Sequence, residues 1–129
     1  MEATQKILVV DDEPDVVDYI SALFEDQGYL TVSAENGIEA IKIAVSELPD
    51  LITLDITMPE QSGIKTYQIL KNDPKVRHIP VIILTAVGDH IKSVLNQFEE
   101  FPEPDGYVNK PVDREELITM TSGLLSVEQ

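Results

Sequence analysis

The sequence predicts a three-layer α/β sandwich of five βα units, with helices on both faces of a single parallel sheet. Short apolar runs rich in β-branched residues alternate with longer stretches of helical periodicity, the pattern of βαβ units. Three of the runs are apolar nearly throughout, as strands covered on both faces must be. The chain has 129 residues, enough to bury one core and too few for two.

The first strand is Ile7-Leu8-Val9-Val10. A helix over 14–27 follows: Pro14 suits its first turn, Val16, Val17, Ile20, Leu23 and Phe24 recur on one stripe, and Gly28 stops it. Leu30-Thr31-Val32-Ser33 is the second strand, and a helix over 37–48 packs through Ile41, Ala44, Val45 and Leu48. Leu51-Ile52-Thr53-Leu54 leads into a third helix, 64–70, that packs through Ile64, Tyr67 and Leu70. Val81-Ile82-Ile83-Leu84 leads into a fourth, carrying Ile91, Val94, Leu95 and Phe98. A weaker fifth strand, Tyr107-Val108-Asn109, precedes a last helix over 113–127 with Leu117, Thr121, Leu124 and Leu125 inward. No repeat or linker interrupts this, so residues 1–129 are expected to be one domain with no output domain in the chain. Right-handed crossovers leave few ways to stack five such units, and the common one has strand order 2-1-3-4-5, the flavodoxin-like arrangement. It sets the C-terminal ends of strands 1 and 3 side by side, where sheets of this kind bind ligands.

Charge removes several function classes. The 24 Asp and Glu against 9 Lys and Arg leave a formal net charge of -15, which repels phosphate backbones and anionic lipid. Direct nucleic-acid or membrane contact is therefore not expected. There is no Cys, and His78 and His90 lack zinc-ligand spacing. The start of the chain has no cationic segment followed by an apolar run, and no stretch approaches the roughly 18 apolar residues of a membrane span, so a cytoplasmic location is expected.

In the predicted strand order, Asp11 and Asp12 end strand 1, Asp55 ends strand 3, Thr85 ends strand 4, and Lys110-Pro111 follows strand 5. Each has an ordinary reading alone: Asp12 can cap the first helix with Glu13 at its positive end, and Lys110 can be a loop lysine. Their convergence changes that. Carboxylates about 5 Å apart repel by roughly 3 kcal/mol per pair at an effective dielectric near 20. Such a cluster is tolerable if some carboxyls stay protonated or a cation neutralises them, and with oxygen donors only the cation should be hard, as Mg²⁺ is. Lys110 adds a second positive charge. The first βα turn is not a G-x-G-x-x-G turn, and its acids would repel a pyrophosphate; neither a P-loop nor a G-x-S-x-G elbow occurs. An Asp-nucleophile phosphatase would want an acid two residues after Asp55, where Thr57 stands.

Four segments carry a family resemblance: Ile7 through Glu13, Leu54 through Gly63, Ile83-Leu84-Thr85-Ala86, and Tyr107-Val108-Asn109-Lys110-Pro111. In that order, each at a strand end, they resemble the receiver domain of two-component response regulators, specifically the single-domain, chemotaxis-regulator-like kind. The resemblance implies that Asp55 accepts a phosphoryl group from a phosphohistidine on a sensor histidine kinase or phosphotransfer protein. It implies Mg²⁺ held by Asp11, Asp12, Asp55 and the backbone carbonyl of Thr57. It implies Lys110 and Thr85 on the phosphoryl oxygens, room left for them by Ala86, Tyr107 as an aromatic switch, and a cis peptide at Lys110-Pro111. The output would be a changed contact with a downstream protein effector, and the domain would assist its own phosphorylation and dephosphorylation without being a conventional enzyme. Two alternatives stand beside this: Tyr107 as an ordinary aromatic on an edge strand, and the whole chain as a phosphorylation-independent interaction module. Residues 101–106 stand where the family usually has a Gly-Ala pair before the strand-5 aromatic, and the acids Glu99, Glu100, Glu103 and Asp105 in or near this loop read as surface charge.

Overall fold

A computed structural model describes residues 4–56, 63–85 and 103–126. In chain order these form β1 (Lys6–Val10), α1 (Pro14–Asp26), β2 (Leu30–Ala34), α2 (Gly37–Glu47), β3 (Leu51–Asp55), α3 (Gly63–Asn72), β4 (Val81–Thr85), β5 (Gly106–Asn109) and α4 (Arg114–Ser126). The sequence-predicted helix carrying Ile91 to Phe98 lies outside the described residues, as do Thr57 and Ala86. The sheet is parallel throughout, in the order β2-β1-β3-β4-β5. Fold class and strand order are those the sequence predicts. Element ends differ by a residue or two, as helix and strand ends commonly do.

Alternation along the strands divides the core in two. Leu8, Val10, Ile52, Leu54, Val81 and Ile83 face α2 and α3, where they meet Ala40, Ala44, Tyr67 and Leu70. Ile7, Val9, Leu51, Ile82, Leu84 and Val108 face α1 and α4, where they meet Ile20, Leu23, Phe24, Leu117 and Leu125. All of these are buried. At the end of α1, Gly28 takes a φ of 95°, in the left-handed region that glycine enters without strain. The chain then turns so that the Tyr29 ring meets Phe24 edge-on, 5.9 Å between centroids.

Leu48 departs from the sequence expectation. It is 57% exposed and has a φ of 46° at the C-cap of α2. The residue before a proline is disfavoured in the helical region, and Pro49 follows it. The rest of the expected stripe packs inward: Ala44 is buried, Ile41 and Val45 are partly buried beside it, and Ala40 joins it one turn earlier.

Asp105 is also more than surface charge. Its N–H donates to the Val81 carbonyl at 2.9 Å, and its Oδ2 accepts from the Val81 N–H at 2.9 Å. Asp50 does the same for β1, with its N–H on the Lys6 carbonyl at 2.7 Å and its Oδ2 accepting from the Lys6 N–H at 2.8 Å. Each follows a proline, Pro104 or Pro49, and each fastens the foot of one strand to its neighbour. The turn into β4 is tied by Lys71, whose Nζ donates to the carbonyls of Arg77 and Ile79 at 3.1 and 2.9 Å. Burial pushes that ammonium's pKa down.

Thr53 sits in the middle of β3, fully buried, and its hydroxyl has no hydrogen-bond partner among the described residues. An unsatisfied buried hydroxyl costs more than the isosteric methyl that would replace it. Thr53→Val is expected to raise the unfolding free energy by about 1 kcal/mol, read as a higher urea midpoint at unchanged slope. A lower midpoint would contradict this.

Candidate functional site

The strand registers bring the sequence-predicted residues to one edge of the sheet. Val10 of β1 pairs with Leu54 of β3, so Asp11 and Asp55 emerge beside each other. Asp55 pairs with Leu84, and Thr85 with Asn109, which places Thr85 and Lys110 across from the acids. Backbone bonds prolong the pairing beyond the strands: Asp11 N–H donates to the Ala34 carbonyl at 3.2 Å, Ile56 N–H to Leu84 at 3.2 Å, and Lys110 N–H to Thr85 at 2.8 Å.

One carboxylate oxygen from each of Asp11, Asp12 and Asp55 lies within 4.8 Å of the others. Asp11 is 0% and Asp55 1% exposed, whereas Asp12 faces solvent. Lys110 Nζ stands among them, 2.8 Å from Asp11 Oδ2, 3.4 Å from Asp55 Oδ2 and 3.6 Å from Glu13 Oε1. Its side chain is only 14% exposed, so the pairs with Asp11 and Asp55 lie in a poorly solvated setting, whereas the Glu13 side chain is 64% exposed. The Lys110–Pro111 peptide is cis.

Burial pushes the Asp11 carboxyl up from its ordinary value and the Asp55 charge adds to this, outweighing the Lys110 ammonium and the Glu13 N–H that favour the anion. That N–H donates to Asp11 Oδ1 at 3.0 Å. At Lys110, burial acts to lower the ammonium's pKa, but the Asp11 and Asp55 carboxylates outweigh it and the net shift is upward. The group is a charged ammonium at neutral pH.

The ordinary reading of Asp12 as a helix cap is not what the structure has. Glu13 is the N-cap of α1, extended at φ -100°, with no side-chain capping bond. Its carboxylate reaches toward Lys110 instead. Sequence reasoning placed Glu13 only against the helix dipole; three consecutive acids at a strand end were the available signal for more.

Thr85 is 3% exposed at the end of β4. Tyr107 is half-buried against the α3-side core, and its hydroxyl is buried with no hydrogen-bond partner among the described residues. Burial, and then Glu103, push its pKa up. Oxygen donors alone, two of the three carboxylates buried, and one ammonium insufficient for three acids together fit a hard divalent cation such as Mg²⁺.

Known proteins are similar to this chain. PilH of Pseudomonas aeruginosa is 32% identical over 121 residues, covering 94% of this chain and 98% of that protein. The DNA-binding dual master transcriptional regulator RpaA of Synechocystis is 37% identical over 120 residues, and the chain spans only 48% of its length. Among solved structures, chemotaxis protein CheY4 of Vibrio cholerae superposes with a TM-score of 0.85 at 25% identity, covering 95% of this chain and 100% of that one. The receiver domain of sensor histidine kinase PA1611 from Pseudomonas aeruginosa, solved with a magnesium ion in its active-site cleft, gives 0.84 at 26%, covering 96% and 99%. The response regulator receiver domain family matches residues 7–122, and with that match over an acid-lined crevice at the ends of β1 and β3, the chain belongs to that family.

Proposed function

We propose that this receiver domain accepts a phosphoryl group on Asp55, with Mg²⁺, from a phosphohistidine of a sensor histidine kinase or phosphotransfer protein. Receiver domains are signalling domains rather than conventional enzymes. The observation that carries the reading is the Lys110 ammonium, largely buried between Asp11 and Asp55 at the mouth of a three-carboxylate cluster. An Asp55 carboxylate oxygen attacks phosphorus, the P–N bond to histidine breaks, and the electron pair stays on the imidazole. Asp11, Asp12 and Asp55, with the Thr57 carbonyl that the family resemblance adds, would hold the metal. Mg²⁺ supplies charge that lets an anionic nucleophile approach an anionic donor.

Lys110 orients and neutralises the equatorial phosphoryl oxygens, and the Thr85 hydroxyl hydrogen-bonds one of them, with the small Ala86 that the family resemblance adds to the site. The product carries about two negative charges where the carboxylate carried one, so Thr85 and Lys110 gain new partners. Tyr107, on the strand beside Thr85, would couple that rearrangement to the surface met by a protein effector. The same site would assist loss of the phosphoryl group to water. The acidic surface opposes direct contact with nucleic acid or anionic membrane.

The test is intact-mass spectrometry after incubation with Mg²⁺ and acetyl phosphate. One phosphoryl group is expected on the natural chain, and none on Asp55→Asn or in the presence of a chelator. An unchanged mass for the natural chain would refute the reading and leave a phosphorylation-independent interaction module.

A further inference from the structure

Helix α3 begins directly against the strand end that carries Asp55. Gly63, its first residue, is buried, and a methyl group on its Cα would overlap the Asp55 carbonyl oxygen and the Ile56 Cα and stand 3.0 Å from the Asp55 carbonyl carbon. These are backbone atoms, which cannot rotate out of the way. At Gly106, by contrast, a methyl group would meet the flexible Met120 side chain. The requirement at Gly63 is one of space, since its backbone is helical. Glycine in a helix costs up to about 1 kcal/mol against alanine, so its use here needs a packing reason.

That reason concerns one peptide. The Ile56 N–H donates to the Leu84 carbonyl at 3.2 Å, so the Asp55–Ile56 unit is held by β4 on one side and by Gly63 on the other. Its orientation governs where the Asp55 carboxylate points relative to Lys110 Nζ, 3.4 Å away. We propose that Gly63 is a positioning residue for Asp55: by carrying no side chain, it lets α3 seat against the Asp55–Ile56 peptide and aims the carboxylate at the incoming phosphorus. This rests on the phosphoacceptor reading above.

The test measures phosphorylation rate against acetyl phosphate concentration at saturating Mg²⁺ for the natural chain, Gly63→Ala and Val76→Ala. Val76 is 1% exposed in the core on the α3 side, and its truncation destabilises the fold without touching Asp55. Misplacing a reacting group by about 1 Å costs on the order of 100-fold. Gly63→Ala should lower the maximal rate per folded molecule by about tenfold or more, with little change in the half-saturating donor concentration. Val76→Ala should keep the natural maximal rate per folded molecule. Equal rates for Gly63→Ala and the natural chain, or equal slowing in both variants, would overturn the positioning role. If Gly63→Ala is unfolded in buffer, the measurement is made in trimethylamine N-oxide, which favours the compact state; failure to fold there too would assign the glycine to the fold alone and also overturn the proposal. If the natural chain takes no phosphoryl group, the underlying reading fails instead.

Discussion

Replacing Lys110 by methionine is expected to destabilise the protein by about 3 kcal/mol at pH 7 in a chelating buffer, because it leaves two buried carboxylates without their shared cation. The ammonium lies 2.8 Å from Asp11 and 3.4 Å from Asp55, which are 0% and 1% exposed. Removing one partner of a buried pair costs far more than removing both, since the desolvated charge remains. Urea denaturation measures the loss. Added Mg²⁺ should recover part of it by binding only the folded state, and the recovery should grow with concentration. The pH dependence has a definite sign. Burial raises the folded-state value of Asp11 above its ordinary 3.8, so its contribution to stability is fully present below that value and lost as pH rises through the raised one. The deficit of Lys110→Met should therefore shrink as the buffer is acidified below neutrality. A variant as stable as the natural chain at pH 7 without Mg²⁺ would show that the pair carries no such energy.

Asp11→Asn should act in the opposite direction on the same protein. The ionised carboxyl is disfavoured by its burial and by Asp55, and the amide oxygen of asparagine can still accept the Glu13 N–H now bound at 3.0 Å. Without Mg²⁺ at pH 7, the variant is expected to be more stable than the natural chain by on the order of 1 kcal/mol. With Mg²⁺ the order should reverse. A folded state that binds a ligand present at 100 times its Kd gains about 2.7 kcal/mol, and a loss of metal affinity on the order of tenfold would remove roughly half of that. Thermal melts with and without Mg²⁺ read both effects: a higher midpoint for the variant in chelator and a smaller Mg²⁺-induced rise. A variant that is less stable without Mg²⁺ would mean that the Lys110 pair outweighs the burial of Asp11. An equal Mg²⁺ response would remove Asp11 from the metal site.

The two predictions draw on different parts of what the residues make legible. That Asp11 and Asp55 meet follows from strand order and from their places one residue past Val10 and Leu54, both visible in the alternation of apolar runs and helical stripes. Lys110 could be assigned to the same crevice because it follows the fifth strand at the same edge of the predicted sheet. Which acid it prefers could not be, because that depends on side-chain reach across three strands.

By itself the sequence determined the α/β class, the strand order through the few crossovers its length allows, the two faces of each buried strand, and the gathering of Asp11, Asp12, Asp55, Thr85 and Lys110 at one edge. These follow from periodicity and chain connectivity, which are local or topological properties. Only the tertiary structure decided that Glu13 is the N-cap of α1 and turns its carboxylate toward Lys110, that Leu48 faces solvent, that Asp105 and Asp50 fasten the feet of strands, and that Gly63 packs too close to the Asp55–Ile56 peptide for a side chain. Each of these depends on atoms brought within a few ångströms by residues distant in the chain. For a net charge of -15, that placement separates the acids that build a site and those that fasten strands from the ones that remain surface charge.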